Sequence, residues 1–164
     1  MANITQRITN CLWFNSVAED AVRHYTAIFK NSSIGAVSHY TKAGFEHHGK
    51  GEGTVLTISF TLDGQQFLAL NAGPEFRFNE AMSLMVGCDT QEEIDYYWSK
   101  LTEGGEEGPC GWCKDKFGVS WQVYPVVLSD MMVDSDKNKV ERVTAAYMQM
   151  KKFDIQKLKE AFNG

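Results

Sequence analysis

The sequence contains one pattern twice, and the second copy lies 73 residues after the first. The segment 16–21 (SVAEDA) matches 89–94 (DTQEEI), and the apolar residues that follow keep the same register. In each copy a short apolar run, 11–14 or 84–86, precedes a helix with apolar residues at i, i+4 and i+7. These are Ala21, Tyr25 and Ile28 in the first copy and Ile94, Trp98 and Leu101 in the second. The repeat predicts a duplicated unit with one cavity between its two copies.

The composition limits the partners and the location that we expect. A length of 164 residues suits one domain, and a net charge of −5 disfavours binding to the phosphate backbone of nucleic acids. The N-terminus lacks the apolar region of a signal peptide, and no stretch approaches the length of a membrane span. Because there are four cysteines and no secretory signal, we expect free thiols and a cytoplasmic protein without a membrane partner.

Cap and turn signals predict the elements of each copy. Ser16 followed by Glu19 predicts a capping box at the start of the first helix. The second copy offers two such boxes, Asp89 with Glu92 and Thr90 with Glu93. After each helix the pattern changes to short strands, and the Asp-Gly pair at 63–64 predicts a tight hairpin turn. Each copy is therefore predicted to be a βαβββ module.

The predicted fold class is α+β, with two tandem βαβββ modules and a C-terminal helical tail. We place the first module at 7–74, the second at 80–126 and the tail at 127–164, within a single domain spanning residues 1–164. Asp154 is the expected N-cap of the last tail helix. A tail of this kind can close a homodimer, which we expect as the oligomeric state.

Seven short motifs, in order along nearly the whole chain, resemble one protein family. They are LWFN at 12–15, YTAIF at 25–29, ALNAGP at 69–74, FNEA at 78–81, CGW at 110–112, KDKFGVSWQ at 114–122 and MQMKKFDI at 148–155. With the two modules, they resemble the PhnB-like branch of the vicinal oxygen chelate superfamily, which includes glyoxalase I, extradiol dioxygenases and bleomycin-resistance proteins. Members of this branch often carry the label 3-demethylubiquinone-9 3-methyltransferase.

For the metal-dependent members, the resemblance implies ligands on the first and last strands of each module. The matching positions here are Asn10 and Ser83 on the first strands and Ala69 and Gln122 on the last strands. Neutral amides and a hydroxyl hold a divalent ion poorly, so we expect neither a metal nor a cofactor. Either the three polar residues simply line a sheet face, or together with Asn71 they orient an organic ligand in a metal-free pocket.

Glu80 and Trp112 are the other candidates for the cavity. Glu80 lies just before a cavity strand and would act as a general base if its pKa were raised; otherwise it is a solvated residue between the modules. Trp112 is expected at the mouth of the pocket. If the first-strand and last-strand ligand positions point into the cavity, alternation places Trp13 and Trp121 in the core.

The cysteines leave a redox role open. Cys110 and Cys113 have the spacing of a thioredoxin-like motif, but the motif lies in a predicted strand, where residues three apart point to opposite faces. Cys11 and Cys88 are expected to be small core residues that face the helices. The histidines, which include the adjacent pair His47–His48, are expected at the surface.

Three functions follow from these observations. The first is a metal-independent protein that binds a small molecule in the cavity formed by the two modules, akin to the bleomycin-resistance proteins that the chain resembles. The second is a metal-dependent lyase, isomerase or dioxygenase of the same superfamily with ligands that the motifs do not reveal. The third is the methyltransferase of the family label, which the residues support least. The Gly-rich stretch 104–108 lies between a helix and a hairpin, the wrong context for an adenosyl methyl donor.

Overall fold

The computed structural model describes residues 6–164, which form eight strands and six helices. They separate into two compact units, the first ending at Arg77 and the second beginning at Phe78. Each unit contains a four-stranded mixed sheet with a helix on one side. The predicted α+β class, with two βαβββ modules followed by tail helices, is confirmed. Within residues 6–164, none of the helices is long and apolar enough to cross a membrane.

In the first unit, the strand that opens the module pairs in parallel with the strand that closes it. The elements are β1 (Asn10–Phe14), α1 (Ala18–Ile28), β2 (Ser33–His39), a short helix α2 (Phe45–His48), β3 (Val55–Leu62) and β4 (Gln65–Asn71). The sheet order is β1-β4-β3-β2, and only the β1–β4 pair is parallel within it. Asp63 and Gly64 both have positive φ (46° and 79°), as the predicted hairpin turn requires.

The second unit repeats this arrangement and adds the tail. Its elements are β5 (Leu84–Cys88), α3 (Gln91–Thr102), β6 (Glu106–Glu107), β7 (Trp112–Lys114), β8 (Ser120–Pro125), α4 (Val126–Met132), α5 (Lys137–Tyr147) and α6 (Ile155–Asn163). The sheet order is β5-β8-β7-β6, with β5 parallel to β8. Asp154 caps α6 as predicted, because its Oδ1 accepts a hydrogen bond from the Lys157 N–H at 3.0 Å.

The repeated helical stripe forms the centre of each core. Tyr25 and Ile28 of α1 are buried, as are Trp98 and Leu101 at the matching positions of α3. Each stripe packs on one side of its sheet, which we call the helix face; the opposite side is the far face. The buried residues of the helix faces include Leu12, Phe14, Ile58, Phe60, Phe67 and Ala69 in the first sheet and Val86, Cys88, Trp121 and Val123 in the second.

The two modules start their helices differently. Thr90 forms the predicted box in the second module: its Oγ1 accepts from the Glu93 N–H at 3.3 Å, and Glu93 Oε2 accepts from the Asp89 N–H at 2.8 Å. The box predicted at Ser16 is wrong. Ser16 has φ 63°, the N-cap of α1 is Val17, and this cap makes no side-chain hydrogen bond.

The connection from strand to helix is one residue shorter in the second module. Residues 15–17 join β1 to α1, whereas residues 89–90 join β5 to α3. The buried helix positions therefore repeat at 73 residues, as Ala21 and Ile94 do, but the buried strand positions Phe14 and Cys88 are 74 apart. Side chains of a strand alternate between the two faces of the sheet. If the strands are aligned by the 73-residue offset of the helices, they are shifted by one residue, and each side chain is assigned to the wrong face.

The C-terminal tail is held against the second sheet by backbone and side-chain hydrogen bonds. The Gly111 N–H donates to the Lys151 carbonyl at 2.7 Å. Gln91 makes two bonds to the segment before α6: its Nε2 donates to the Phe153 carbonyl at 3.0 Å, and its Oε1 accepts from the Ile155 N–H at 2.9 Å. The tail is thus part of the second unit.

Candidate ligand site on the second sheet

The structure places the candidates of the first module on the helix face. Asn10 shares a side of β1 with the buried Leu12 and Phe14, and Ala69 is fully buried beside them in β4. The predicted cavity-facing orientation of Asn10 and Ala69 is therefore wrong. For Asn10, the cause is the one-residue difference in the connection, which inverts the faces of a strand aligned at 73 residues. Ala69 pairs with Leu12 across the β1–β4 ladder and therefore lies on the same face.

Asn71 is 3% exposed, and all of its side-chain polar atoms are engaged in the first unit. Its Oδ1 accepts from the Ala18 N–H at 2.9 Å. Its Nδ2 donates to Glu19 Oε2 at 2.8 Å and to the Val55 carbonyl at 3.3 Å. The side chain joins β4, β3 and the start of α1, on the side of the sheet away from the far face. Its predicted orientation toward the cavity is wrong, because Asn71 pairs with the buried Phe14 across the β1–β4 ladder and lies on the helix face with it.

The structure brings the two candidates of the second module together. Gln122 lies on the far face, and its Nε2 donates to Ser83 Oγ at 2.8 Å. Gln122 is the ladder partner of Met85 in β5 and of Trp112 in β7, so all three side chains share that face. A role for Ser83, Gln122 and Trp112 in ligand binding stays a prediction.

A cavity of about 480 Å³ opens in the second unit. Its wall combines an aromatic ring, an ion pair, a free carboxylate and a hydroxyl, contributed by Trp112, Pro109, Glu80, Lys114, Glu106 and Ser120. Trp112 and Glu80 were both predicted from the sequence to belong to a ligand cavity. A volume of this size suits a small organic molecule.

Lys114 and Glu80 form an ion pair at this cavity, with Nζ 2.6 Å from Oε1. The hydrogen bond from Lys114, together with its charge, lowers the pKa of the Glu80 carboxyl below its usual value. The same hydrogen bond raises the pKa of Lys114. The general-base hypothesis for Glu80 required a raised pKa, so the structure contradicts it. Glu80 is instead an ionised partner that holds the Lys114 ammonium in place.

Ser120 is one of several cavity residues that were not among the binding candidates predicted from the sequence. It is 2% exposed, and its Oγ has no hydrogen-bond partner among residues 6–164. Ser120 pairs with Lys114 across the β7–β8 ladder and shares a face with Gln122 two residues later. That alternation was a usable signal in the sequence, but the burial of the hydroxyl was not. Buried polar groups are normally paired, so this hydroxyl calls for a partner that residues 6–164 do not supply.

Asp115 holds the turn that carries Lys114 and Ser120. Its Oδ1 accepts from the N–H groups of Phe117 and Val119, at 2.8 and 3.0 Å, and its Oδ2 accepts from Trp121 Nε1 at 2.8 Å. Trp121 is buried, as predicted. The buried carboxylate thus connects the β7–β8 turn to the core and fixes the geometry of one cavity wall.

Trp13 departs from the prediction that it belongs to the core. It is only half-buried and lies on the far face of the first sheet, where its Nε1 donates to the Gly73 carbonyl at 2.9 Å. Its ring meets the Phe76 ring edge to face, with centroids 4.8 Å apart. Trp13 was predicted in the core because its neighbour positions on β1, including Asn10, were predicted to face the cavity, and the one-residue shift inverts all of these faces.

All four cysteines lie in the described part of the chain and are free thiols. Burial is the main cause that raises the pKa of Cys88 and of Cys113 to about 12. Cys110 points away from Cys113 toward the tail, with its Sγ 3.9 Å from Met148 Sδ. A redox pair needs an accessible thiolate of lowered pKa, and Cys113 has the opposite properties. Cys88 is buried as predicted, but Cys11 is exposed, so its predicted core position is wrong.

The donors in the described chain do not fit a metal centre. Residues 6–164 contain no group of three or more His, Cys, Asp or Glu side chains placed to hold an ion. At the positions where the superfamily resemblance implies ligands, Ser83 and Gln122 are neutral, while Asn10 and Ala69 lie on the opposite face of their sheet. The histidine pair does not contribute: His47 is exposed, and the half-buried His48 stacks beside Tyr40.

The chain matches known proteins over most of its length. Residues 6–124 match the family model described as 3-demethylubiquinone-9 3-methyltransferase. The PhnB protein of Bacillus cereus, described as a 3-demethylubiquinone-9 3-methyltransferase, is 38% identical; the match covers 74% of this chain and 100% of that one, with a TM-score of 0.64. Among curated proteins, none matches.

Two further solved structures show the same fold at low identity. Protein PA1353 from Pseudomonas aeruginosa is 18% identical, with 74% of this chain and 98% of that one covered and a TM-score of 0.57. The fosfomycin resistance protein FosX from Listeria monocytogenes is 12% identical, with 80% and 100% covered and a TM-score of 0.54. The family model matches most of the chain, and the PhnB protein is 38% identical over its whole length, so the chain belongs to the 3-demethylubiquinone-9 3-methyltransferase (PhnB-like) family.

Proposed function

We propose that this protein binds a small organic molecule on the far face of its second sheet, without a metal ion. The observation that carries the proposal is the Ser120 hydroxyl, buried and unpaired in the described structure, in the wall of a cavity of about 480 Å³. Leaving a buried hydroxyl without a partner costs about 1–3 kcal/mol, and a ligand atom that pairs with it recovers that energy. Trp112 adds an apolar surface on the same wall.

The donor chemistry supports a site without a metal. Gln122 donates to Ser83 and Lys114 pairs with Glu80, so this face offers an amide, hydroxyls and one ion pair, groups that suit organic functional groups better than a divalent ion. A hard divalent ion prefers several carboxylate oxygens with fixed geometry. The second candidate function is a metal-dependent lyase, isomerase or dioxygenase of the superfamily. It would need three or more metal-binding side chains close together, and residues 6–164 contain no such group of His, Cys, Asp or Glu.

The methyltransferase activity in the family name has no counterpart in the described elements. A Gly-rich loop for an adenosyl group lies between a strand and the helix that follows it. Here Gly104 and Gly105 follow α3 and lead into β6. We therefore propose binding rather than methyl transfer.

A thermal-shift screen with metabolites and aromatic antibiotics tests the proposal. Each hit is then mapped through the indole N–H signals of ¹⁵N-labelled protein. We expect hits to shift the Trp112 signal, and we expect Trp112→Leu to lower their affinity at least several-fold. Trp13 is a half-buried tryptophan of the first unit, so Trp13→Leu should leave the affinity unchanged. If no hit shifts the Trp112 signal, the proposed site is wrong. Zinc, iron, nickel or manganese retained stoichiometrically by the purified protein would contradict the metal-free part.

We also propose a homodimer in the cytoplasm. The free state of all four thiols supports a reducing compartment. Light scattering at micromolar concentration is expected to give about twice the mass of the 18.5 kDa chain.

A further inference from the structure

We propose that the cavity of the second sheet selects a protonated alkyl amine attached to an aromatic ring, in a molecule that also carries a hydroxyl or carbonyl group. This inference names the ligand class of the proposed site and rests on that proposed function. Three features of the cavity wall lead to it: an excess of negative charge, an aromatic surface and a buried polar anchor. Each feature comes from residues that line the cavity, and each is an independent observation.

The negative charge comes from Glu106. Glu80 and Glu106 both act on the ammonium group of Lys114, and Glu80 alone accepts its close hydrogen bond at 2.6 Å. One cation therefore stands against two carboxylates. A ligand ammonium group beside Glu106 would balance this group of charges, whereas a ligand carboxylate would have to compete with Glu80 for Lys114.

The third carboxylate of the wall, Glu107, belongs to the helix face, because it pairs with the buried Cys113 across the β6–β7 ladder. Its Oε1 accepts from Trp98 Nε1 at 3.1 Å, and its Oε2 lies 3.6 Å from Lys151 Nζ. Glu107 therefore adds little to the field in the cavity. This leaves Glu106 as the charge that a ligand meets.

Trp112 supplies the aromatic surface. It is half-buried, and Pro109 extends the same apolar wall. The face of an indole ring attracts cations and also stacks on flat apolar groups, so both the ammonium group and the ring of such a ligand interact favourably with it. An aromatic acid would gain only the stacking.

Ser120 supplies the polar anchor. Its buried Oγ lacks a partner among residues 6–164, and it can donate to or accept from one ligand atom. Glu106 pairs with Lys114 across the β6–β7 ladder, and Lys114 pairs with Ser120 across the β7–β8 ladder, so the carboxylate and the anchor lie on the same face, two strands apart. The amine of such a ligand would therefore contact Glu106 while its second polar group contacts Ser120.

Three probes separate these features: tyramine, phenethylamine, which lacks the hydroxyl, and 3-(4-hydroxyphenyl)propionate, which replaces the amine by a carboxylate. Affinities are measured by calorimetry at low salt, with the Trp112 indole signal as the locator. We expect tyramine to bind at least about fivefold more tightly than phenethylamine, because its hydroxyl pairs with the buried Ser120 hydroxyl. We expect it to bind about tenfold more tightly than the propionate, because the carboxylate replaces an attraction to Glu106 by a repulsion.

Two variants assign the preferences to residues. Glu106→Gln is expected to remove most of the difference between tyramine and the propionate, while Glu103→Gln, an exposed glutamate outside the cavity wall, leaves it intact. Ser120→Ala is expected to remove the difference between tyramine and phenethylamine. Raising the salt concentration should reduce the first difference and spare the second, because only the first is a charge effect.

The possible failures are distinct. If the propionate binds at Trp112 as tightly as tyramine, the amine inference is overturned and the proposed small-molecule site stands. The same holds if tyramine fails to bind while neutral or anionic hits shift Trp112. If neither the probes nor any screened compound shifts Trp112, both this inference and the proposed function are wrong.

Discussion

The side-chain oxygen of Asn71 accepts a hydrogen bond from the backbone N–H of Ala18 at 2.9 Å, so the last strand of the first sheet caps the helix that follows the first strand. The backbone carbonyl of Asn71 also accepts from the hydroxyl of Tyr40 at 2.7 Å. One buried asparagine thereby joins three parts of the module that are far apart in the chain. It takes the role that the sequence pattern assigned to Ser16.

Asn71→Ala is therefore expected to destabilise the protein by about 1–3 kcal/mol, since it leaves the Ala18 N–H and part of Glu19 without their buried partner. Ser16→Ala is the matched control and should change the free energy of unfolding by less than about 0.5 kcal/mol, because Ser16 does not cap α1. Urea unfolding followed by circular dichroism measures both. Equal effects of the two substitutions would contradict this account of the cap.

Gly111→Ala is expected to be among the most damaging single substitutions in the second unit. Gly111 has φ 78°, and an added Cβ would lie 2.4 Å from Phe153 Cε2 and 2.6 Å from the Val123 carbonyl oxygen. We expect a loss of about 3 kcal/mol or more, because the tail must move away from the sheet. Gly49→Ala, with φ 62° and open space around the added atom, isolates the backbone strain and should cost only about 1 kcal/mol. Thermal unfolding of both variants provides the comparison.

Ser120→Ala is expected to stabilise the ligand-free protein by about 1 kcal/mol, because it removes a hydroxyl that is buried without a protein partner. Ser59→Ala is the control, since Ser59 Oγ donates to the Ala36 carbonyl at 3.2 Å and its loss should destabilise the fold slightly. The measurement is the free energy of unfolding in urea without ligand. A clear loss of stability in Ser120→Ala would show that the hydroxyl already has a structural role. A gain in stability paired with weaker ligand binding is the pattern of a binding residue.

The cysteines should differ sharply in their reaction with iodoacetamide. Only the thiolate reacts, and the raised pKa of about 12 leaves Cys88 and Cys113 protonated in the folded protein at pH 8.5. Cys11 also has a raised pKa, but it is exposed and should be modified before Cys88 and Cys113. Peptide mass spectrometry after timed labelling measures the order. Rapid labelling of Cys113 in the folded state would contradict the burial described here.

The same two thiols predict a loss of stability at alkaline pH. In the unfolded chain they ionise near their ordinary pKa, whereas in the folded protein they stay protonated until about pH 12. The unfolded state therefore gains free energy of ionisation as the pH rises above the ordinary thiol pKa, and stability falls. Replacing Cys88 and Cys113 by alanine should flatten the curve of unfolding free energy against pH between about 9 and 11. An unchanged slope in the double variant would contradict this origin.

The elements of the fold were predictable because they rest on local patterns. The helical stripe of Tyr25 and Ile28 recurs in Trp98 and Leu101, and both stripes are buried as predicted. The Thr90 box, the turn at Asp63 and the cap at Asp154 each depend on residues within a few positions of one another. Ser83 and Gln122 were also predicted on one face, and the structure joins them by a hydrogen bond.

The faces of the first module were not predictable from the repeat. A single extra residue before α1 changes the strand register from 73 to 74, and with a side-chain period of two this inverts every assignment on β1. For that reason Asn10 lies on the helix face and Trp13 on the far face. Asn71 lies on the helix face as well, because it pairs with Phe14 across the β1–β4 ladder. No local signal marks Asn71 as the cap of a helix that begins 53 residues earlier.

The sequence by itself determined that this chain has two βαβββ modules, which helix faces are buried and which family it resembles, because periodicity and turn chemistry act over a few neighbouring residues. Only the tertiary structure decided which side of each sheet is available to a ligand, that Glu80 is held by Lys114, and that the Ser120 hydroxyl is buried without a partner. These properties depend on strand pairing and on contacts between distant segments, and a one-residue change in a connection is enough to alter them.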